Sequence, residues 1–469
     1  MQVYSLIARR TFFSSQAILP ILAFAASAAS LLTVAGGIQA FYLWVPYRAT
    51  GASAVYREAV QMAPFYQFCA WFAGLLLIFP LFTLGASAAR LSARRRDDRL
   101  ATLRLLGAST ARLTMMTVLD ALAYALIGFV LGVGLYALLI QPLGTLRFQG
   151  FPLQARYMAL SPKGIGYCAL FFLVVATVSS LFGLSKVSIS PLGVRQRVSA
   201  APLSRRLLVG ALVIFGAAIV LSVLAQSLMQ STAQAGVSYT VLLFIVALIL
   251  GLPVLLGMVA MDLLGTFVVG LYAKIAVKRT SKPHALLAYR AILESPRAAW
   301  RQVSGVAMST FTVAFLGPIF SIIAQVSRAS QDVAQSTLVA DMWQGLFLLL
   351  SISFVLVAIS ALLNQSAAIF ERSSLYSSLH MMGASRRVLG ASRRLVVMGP
   401  LVLVSTMSAA AALLLVGPLM GSALSGVSLL YTLGLVLASI VVGVLLVHCA
   451  LLATAPLLRS VTSKPVSAL

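Results

Sequence analysis

Residues 90–112 read Arg-Leu-Ser-Ala-Arg-Arg-Arg-Asp-Asp-Arg-Leu-Ala-Thr-Leu-Arg-Leu-Leu-Gly-Ala-Ser-Thr-Ala-Arg. Seven arginines surround two aspartates, and a long apolar run lies on either side. A short charged island between apolar segments is the pattern of a connector between membrane spans. From Leu103 the stretch turns apolar and closes on Gly107-Ala108-Ser109. The design returns at 371–387 as Glu-Arg-Ser-Ser-Leu-Tyr-Ser-Ser-Leu-His-Met-Met-Gly-Ala-Ser-Arg-Arg.

The composition agrees with that reading. Of 469 residues, 61% are hydrophobic and 9% charged, and the mean hydropathy is +1.02. A soluble domain carries about a quarter charged residues. The formal charge of +25 does not indicate nucleic-acid binding, because the basic residues sit in short connectors rather than on a soluble domain.

A span needs about 20 mostly apolar residues. Ten stretches qualify: 17–45, 66–89, 113–140, 164–184, 207–229, 240–262, 304–326, 344–369, 396–419 and 428–453. The first is too long for the apolar core of a signal peptide and reads as an uncleaved span. The sequence therefore predicts an all-α polytopic membrane protein in the plasma membrane.

With both termini in the cytoplasm, the inner connectors hold 28 Lys and Arg residues and the outer ones 6. That asymmetry is a strong positive-inside signal, and it puts both Gly-Ala-Ser connectors inside. The outer loops are too short for a folded external domain. Their charges, Arg48, Arg57, Glu58, Arg147, Arg156, Asp332 and Asp341, read as ordinary solvated groups rather than as contacts to a substrate head group.

The chain repeats itself. Aligning Gly107 with Gly383 pairs Leu103 with Leu379, Leu106 with Met382, Ala108 with Ala384 and Ser109 with Ser385. Upstream, Leu6-Ile7-Ala8-Arg9-Arg10 matches Leu286-Leu287-Ala288-Tyr289-Arg290, each just before a span. Tyr4, Leu6, Ile7, Phe12 and Phe13 against Arg9 and Arg10 suggest that residues 1–14 lie in the interface. The expected organisation is a four-span module over 1–195, a two-span linker with an amphipathic extension over 196–283, a second four-span module over 284–456, and a tail over 457–469. A parallel repeat differs from the inverted repeats of many secondary transporters.

The run Arg-Arg-Arg-Asp-Asp-Arg-Leu-Ala-Thr-Leu-Arg-Leu-Leu-Gly-Ala-Ser, followed by Asp120 and by Gly128, Gly132 and Gly134, resembles the signature of FtsX-like permeases. These are the membrane subunits of MacB-type (type VII) ABC transporters. Leu287-Ala288-Tyr289-Arg290 and Glu294-Ser295-Pro296-Arg297 are similar to the segment that enters a module's first span. Two modules joined by two spans match the ten-span, BceB-like arrangement. Residues 327–343 stand where those permeases usually carry a large external domain.

The resemblance implies a separate ABC ATPase, two copies per permease, with ATP and Mg on that partner and no cofactor in this chain. It implies that each connector docks in a groove of one ATPase. The docking residues would be Arg99, Leu103, Leu106, Gly107, Ala108 and Ser109 in the first connector, and Leu379, Met382, Gly383, Ala384 and Ser385 in the second. The small Gly-Ala-Ser tips would enter the groove, and each apolar side chain would contribute about 1.5–3 kcal/mol by burial. The arginines would meet carboxylates of the ATPase or anionic lipid. The bland alternative is a plain positive-inside loop.

Enzymatic chemistry is hard to build from the remaining residues. No Walker A spacing is present; Gly183-Leu184-Ser185-Lys186 lacks its glycines. Cys69, Cys168 and Cys449 are far apart, as are His284, His380 and His448. The chain is not expected to be an enzyme. Asp120, inside the third span, is a costly intramembrane charge. It reads either as a partner of Arg112 or a connector arginine, or as a proton or substrate site. The expected function is export or extraction of a lipid, lipopeptide, peptide antibiotic or other hydrophobic compound. A transmembrane regulator and an ion-coupled carrier are the other two readings.

Overall fold

A computed structural model describes residues 18–48, 63–78, 81, 84, 110–149, 151–185, 205–234, 239–330, 333–371, 373–420 and 426–456. Among them are α1 (Ile18–Arg48), α2 (Ala63–Ile78), α3 (Thr110–Leu143), the two-residue strands β1 (Arg147–Phe148) and β2 (Phe151–Pro152), α4 (Ala155–Met158) and α5 (Pro162–Ser185). There follow α6 (Arg205–Gln234), α7 (Tyr239–Arg279), α8 (Pro283–Glu294), α9 (Pro296–Ser330), α10 (Val333–Glu371), α11 (Ser373–Met381), α12 (Arg386–Met420) and α13 (Gly426–Ala453).

Eight of these helices are long and apolar enough to cross a bilayer. The expected spans at 66–89 and 164–184 fall on α2 and α5, whose described apolar stretches are shorter than 18 residues. The chain is an all-α polytopic membrane protein. Its contacts divide it into two units. Unit 1 (Met1–Ala52 and Pro80–Arg197) holds α1, α3, α4, α5 and the hairpin, and unit 2 (Ser53–Phe79 and Val198–Leu469) holds α2 and α6–α13.

In unit 1, Gly128 and Gly132 form a glycine face on α3, one turn apart. A Cβ at Gly128 would lie 2.4 Å from Phe24 Cβ, and one at Gly132 would lie 2.6 Å from Ala28 Cβ. The helix backbones approach as closely as small residues allow, which is how apolar helices associate where burial from water gives no drive. Gly134 faces open space and has no such role.

The loop after α3 is built rather than slack. β1 and β2 pair antiparallel, and Phe148 stacks edge-on against Phe41 of α1 at 5.1 Å. Tyr136 of α3 donates to the Met158 carbonyl and accepts from the Leu160 N–H at 3.0 Å. Gln39 of α1 donates to the Ala159 carbonyl at 2.9 Å. Gly36 makes room for this, since a Cβ there would sit 2.5 Å from the Met158 oxygen.

Unit 2 is organised around α9. Its spanning window is 89% buried, whereas that of α6 is 17% buried and presents Leu212, Val213 and Val220 outward, as a lipid-facing helix does. Large side chains of α9 fill glycine notches on its neighbours: Trp300 at Gly265 and Phe311 at Gly257 of α7, and Val306 at Gly443 of α13. Polar pairs join it to α10, with Ser309 and Ser353 hydroxyls 2.7 Å apart and Gln365 Nε2 donating to Gln302 Oε1 at 2.9 Å.

The α7 helix is one continuous rod of 41 residues, about 60 Å at 1.5 Å per residue and twice the thickness of a hydrocarbon core. Its last turns carry Lys274, Lys278 and Arg279. It is no loose tether. Trp300 Nε1 donates to Asp262 Oδ1 at 2.7 Å, and Tyr272 packs against Gly399 of α12 and edge-on against Tyr289 of α8.

One expectation is corrected. Asp341 is not a solvated loop charge: it lies within α10, is 7% exposed, and accepts a 2.6 Å hydrogen bond from the Tyr66 hydroxyl of α2. Helix α10 begins well before its apolar run, so the charge is carried into the packed part of unit 2.

Candidate functional site: the second connector and the cavity behind it

Helix α11 is nine residues long, too short to persist alone, so its ends decide its shape. At its C-terminus the Ala384 N–H bonds to the Leu379 carbonyl at 2.9 Å and the Gly383 N–H to the His380 carbonyl at 3.1 Å. Gly383 stands between them at φ +94°. This pair of bonds around a left-handed residue is a Schellman stop, which glycine supplies without a Cβ penalty. The next helix starts at once: Ser385 Oγ accepts from the Val388 N–H at 3.3 Å, the N-cap bond of α12.

Gly383-Ala384-Ser385 is therefore a corner. Gly ends one helix, Ala bridges, and Ser begins the other. In the first connector the described part of α3 begins at Thr110. Arg99, Leu103, Leu106, Gly107, Ala108 and Ser109 themselves lie outside the described residues, as do residues 1–14 and 457–469. Asp120 is on α3, and its side chain is outside what the structure describes.

The corner has a definite outer face. Met382 is 75% exposed and Met381 67% exposed, with Gly383 and Ser385 also exposed. Two adjacent methionines at a helix end make a pliable apolar knob. The expected docking pair Leu379 and Met382 is thus split, because Leu379 faces the other way.

Leu379 and Tyr376 line a cavity of about 330 Å³ between α11 and the body of unit 2, with Arg290 and Glu294 of α8, Gln365 of α10 and Arg393 of α12. Helix α8 forms one wall because Ala285, Ala288 and Ile292 recur on one buried face while Arg290 and Glu294 project from the other. Arg393 is only 7% exposed. Its Nη2 donates to the Leu451 carbonyl at 2.6 Å and to Thr454 Oγ1, and its Nη1 to the Thr454 carbonyl at 3.5 Å. It thereby caps the C-terminal end of α13, where carbonyls lack helical partners and the helix dipole favours a cation.

Sequence reasoning counted Arg393 only as one more inner-side charge. Arg386, Arg387 and Arg394 share its stretch, so nothing in the sequence singled it out. Among the described residues no group of His, Cys, Asp and Glu is arranged to hold a metal.

The family profile described as FtsX-like permease C-terminal matches residues 71–192. That segment contains the first connector, Asp120 and the glycine face of α3. Permeases of that family are membrane components of ABC systems and are not themselves ATPases. No curated protein and no solved structure matches the chain.

Proposed function

We propose that this chain is the membrane component of an ABC system, coupled to a separate ATPase through two cytoplasmic corners, 90–112 and 371–387. The observation that carries the reading is the corner at Gly383: a rigid helix stop and restart presenting Met381 and Met382 outward. A sequence counterpart stands inside the stretch that matches the permease family. An exposed apolar knob on a fixed backbone suits a groove on a partner protein better than it suits a solvated loop.

Two corners in one chain favour one permease per two ATPase subunits, with the ten-span, two-module layout. ATP-driven closure of the ATPase pair would move both corners and, through α3 and α12, the spans they begin. With only short loops expected outside, the substrate class favoured is a lipid, lipopeptide, peptide antibiotic or other hydrophobic compound taken outward or drawn from the outer leaflet. Tandem affinity purification with quantified subunits tests the assembly. One permease to two ATPases is expected, and a two-to-two complex overturns it.

A further inference from the structure

Among the described residues, no carboxylate hydrogen-bonds the Arg393 guanidinium. All its hydrogen-bond partners among the described residues, the Leu451 and Thr454 carbonyls and the Thr454 hydroxyl, are uncharged. A buried guanidinium is expensive without a counter-ion, and the end of a helix dipole offsets only part of that. Yet this residue lines an open cavity, with a second arginine, Arg290, on the α8 wall and one carboxylate, Glu294. The cavity therefore has a positive excess. Gln302, Gln365, Ser295 and Ser392 add neutral polar residues to its lining. At about 330 Å³ it holds a small polar head group and little more.

Its surroundings identify the source. Lys274, Lys278, Arg279 and Lys282 immediately precede α8. Each is attracted to an anionic membrane surface. Helix α8 is amphipathic, with Leu286 exposed, and Leu375 stands exposed at the cavity wall on α11. Acyl chains leaving the cavity would meet apolar surface, which a free phosphate does not need. We propose that the cavity binds the phosphate of an anionic phospholipid between Arg290 and Arg393, and that the bound head group braces α11 from behind. The bracing role rests on the docking function proposed for α11; the lipid site does not.

The test uses the purified full chain in neutral detergent, titrated with phosphatidylglycerol or phosphatidylcholine and read by native mass spectrometry. Phosphatidylglycerol is expected to be retained as one tightly held copy and phosphatidylcholine is not. Arg290→Gln should weaken retention about 5- to 10-fold, while Arg297→Gln, outside the cavity, leaves it unchanged. Ala368→Trp fills the cavity and should abolish it. Arg290 is exposed, so its variant stays folded and remains decisive if Ala368→Trp does not. Undiminished retention in Arg290→Gln, equal retention of phosphatidylcholine, or displacement of the lipid by millimolar inorganic phosphate overturns the proposal. Because no ATPase is present, failure of the docking reading leaves this result standing, and the reverse also holds.

Discussion

Trp300 donates its indole N–H to Asp262 at 2.7 Å while its ring fills the notch at Gly265, one turn further along α7. The polar end and the apolar body of one side chain thus fasten the long α7 helix to the centre of unit 2. A Cβ at Gly265 would lie 2.1 Å from the ring, so no side chain fits without displacing it.

Gly265→Leu should therefore destabilise unit 2 by about 1–3 kcal/mol through overpacking. Asp262→Ala should cost about 1 kcal/mol through the lost hydrogen bond. Thermal unfolding in detergent checks both, and the two effects should be non-additive because they act on the same indole.

At the corner, Gly383→Ala should cost about 1–2 kcal/mol, since φ +94° is strained for any residue with a Cβ. Ser385→Ala should cost about 1 kcal/mol through the lost N-cap. Gly383→Trp and Gly107→Trp should uncouple ATP hydrolysis from transport. The Gly107 variant is expected to be the more damaging, because the second connector is poorer in charge.

Met382→Asp separates docking from folding. The side chain is 75% exposed, so the melting temperature should not change. Loss of ATPase from the co-purified complex is the expected result. Full recovery of ATPase with Met382→Asp and Met381→Asp combined would remove the knob from the interface.

On α3, Gly128→Leu and Gly132→Leu should prevent close packing on α1 and reduce folded protein, whereas Gly134→Leu should be tolerated because nothing lies within 4 Å of its Cβ position. Yield and monodispersity on gel filtration distinguish the three.

Tyr66→Phe removes the hydroxyl that donates to buried Asp341 and should destabilise by about 1–3 kcal/mol. A double-mutant cycle with Asp341→Asn should show coupling between them.

The sequence by itself determined the class, the helices and the place of the second corner. Apolar runs of about 20 residues must satisfy their backbone internally, so they read out directly as helices. Gly383 and Ser385 mark a helix stop and start through local backbone chemistry that involves only near neighbours. What the sequence could not give was which helix faces which. An apolar residue reads the same whether it meets lipid or protein, so the central burial of α9 and the outward face of α6 depend on tertiary packing. Leu379 and Met382 look alike as letters, yet one lines a cavity and the other stands outside, because Leu379 lies within α11 while Met382 stands past its end at the Gly383 corner. Asp341 and Arg393 read as ordinary charges until packing placed one against Tyr66 and the other at the end of α13. Burial, which decides what a charge costs and therefore what it must contact, is a property of the assembled helices.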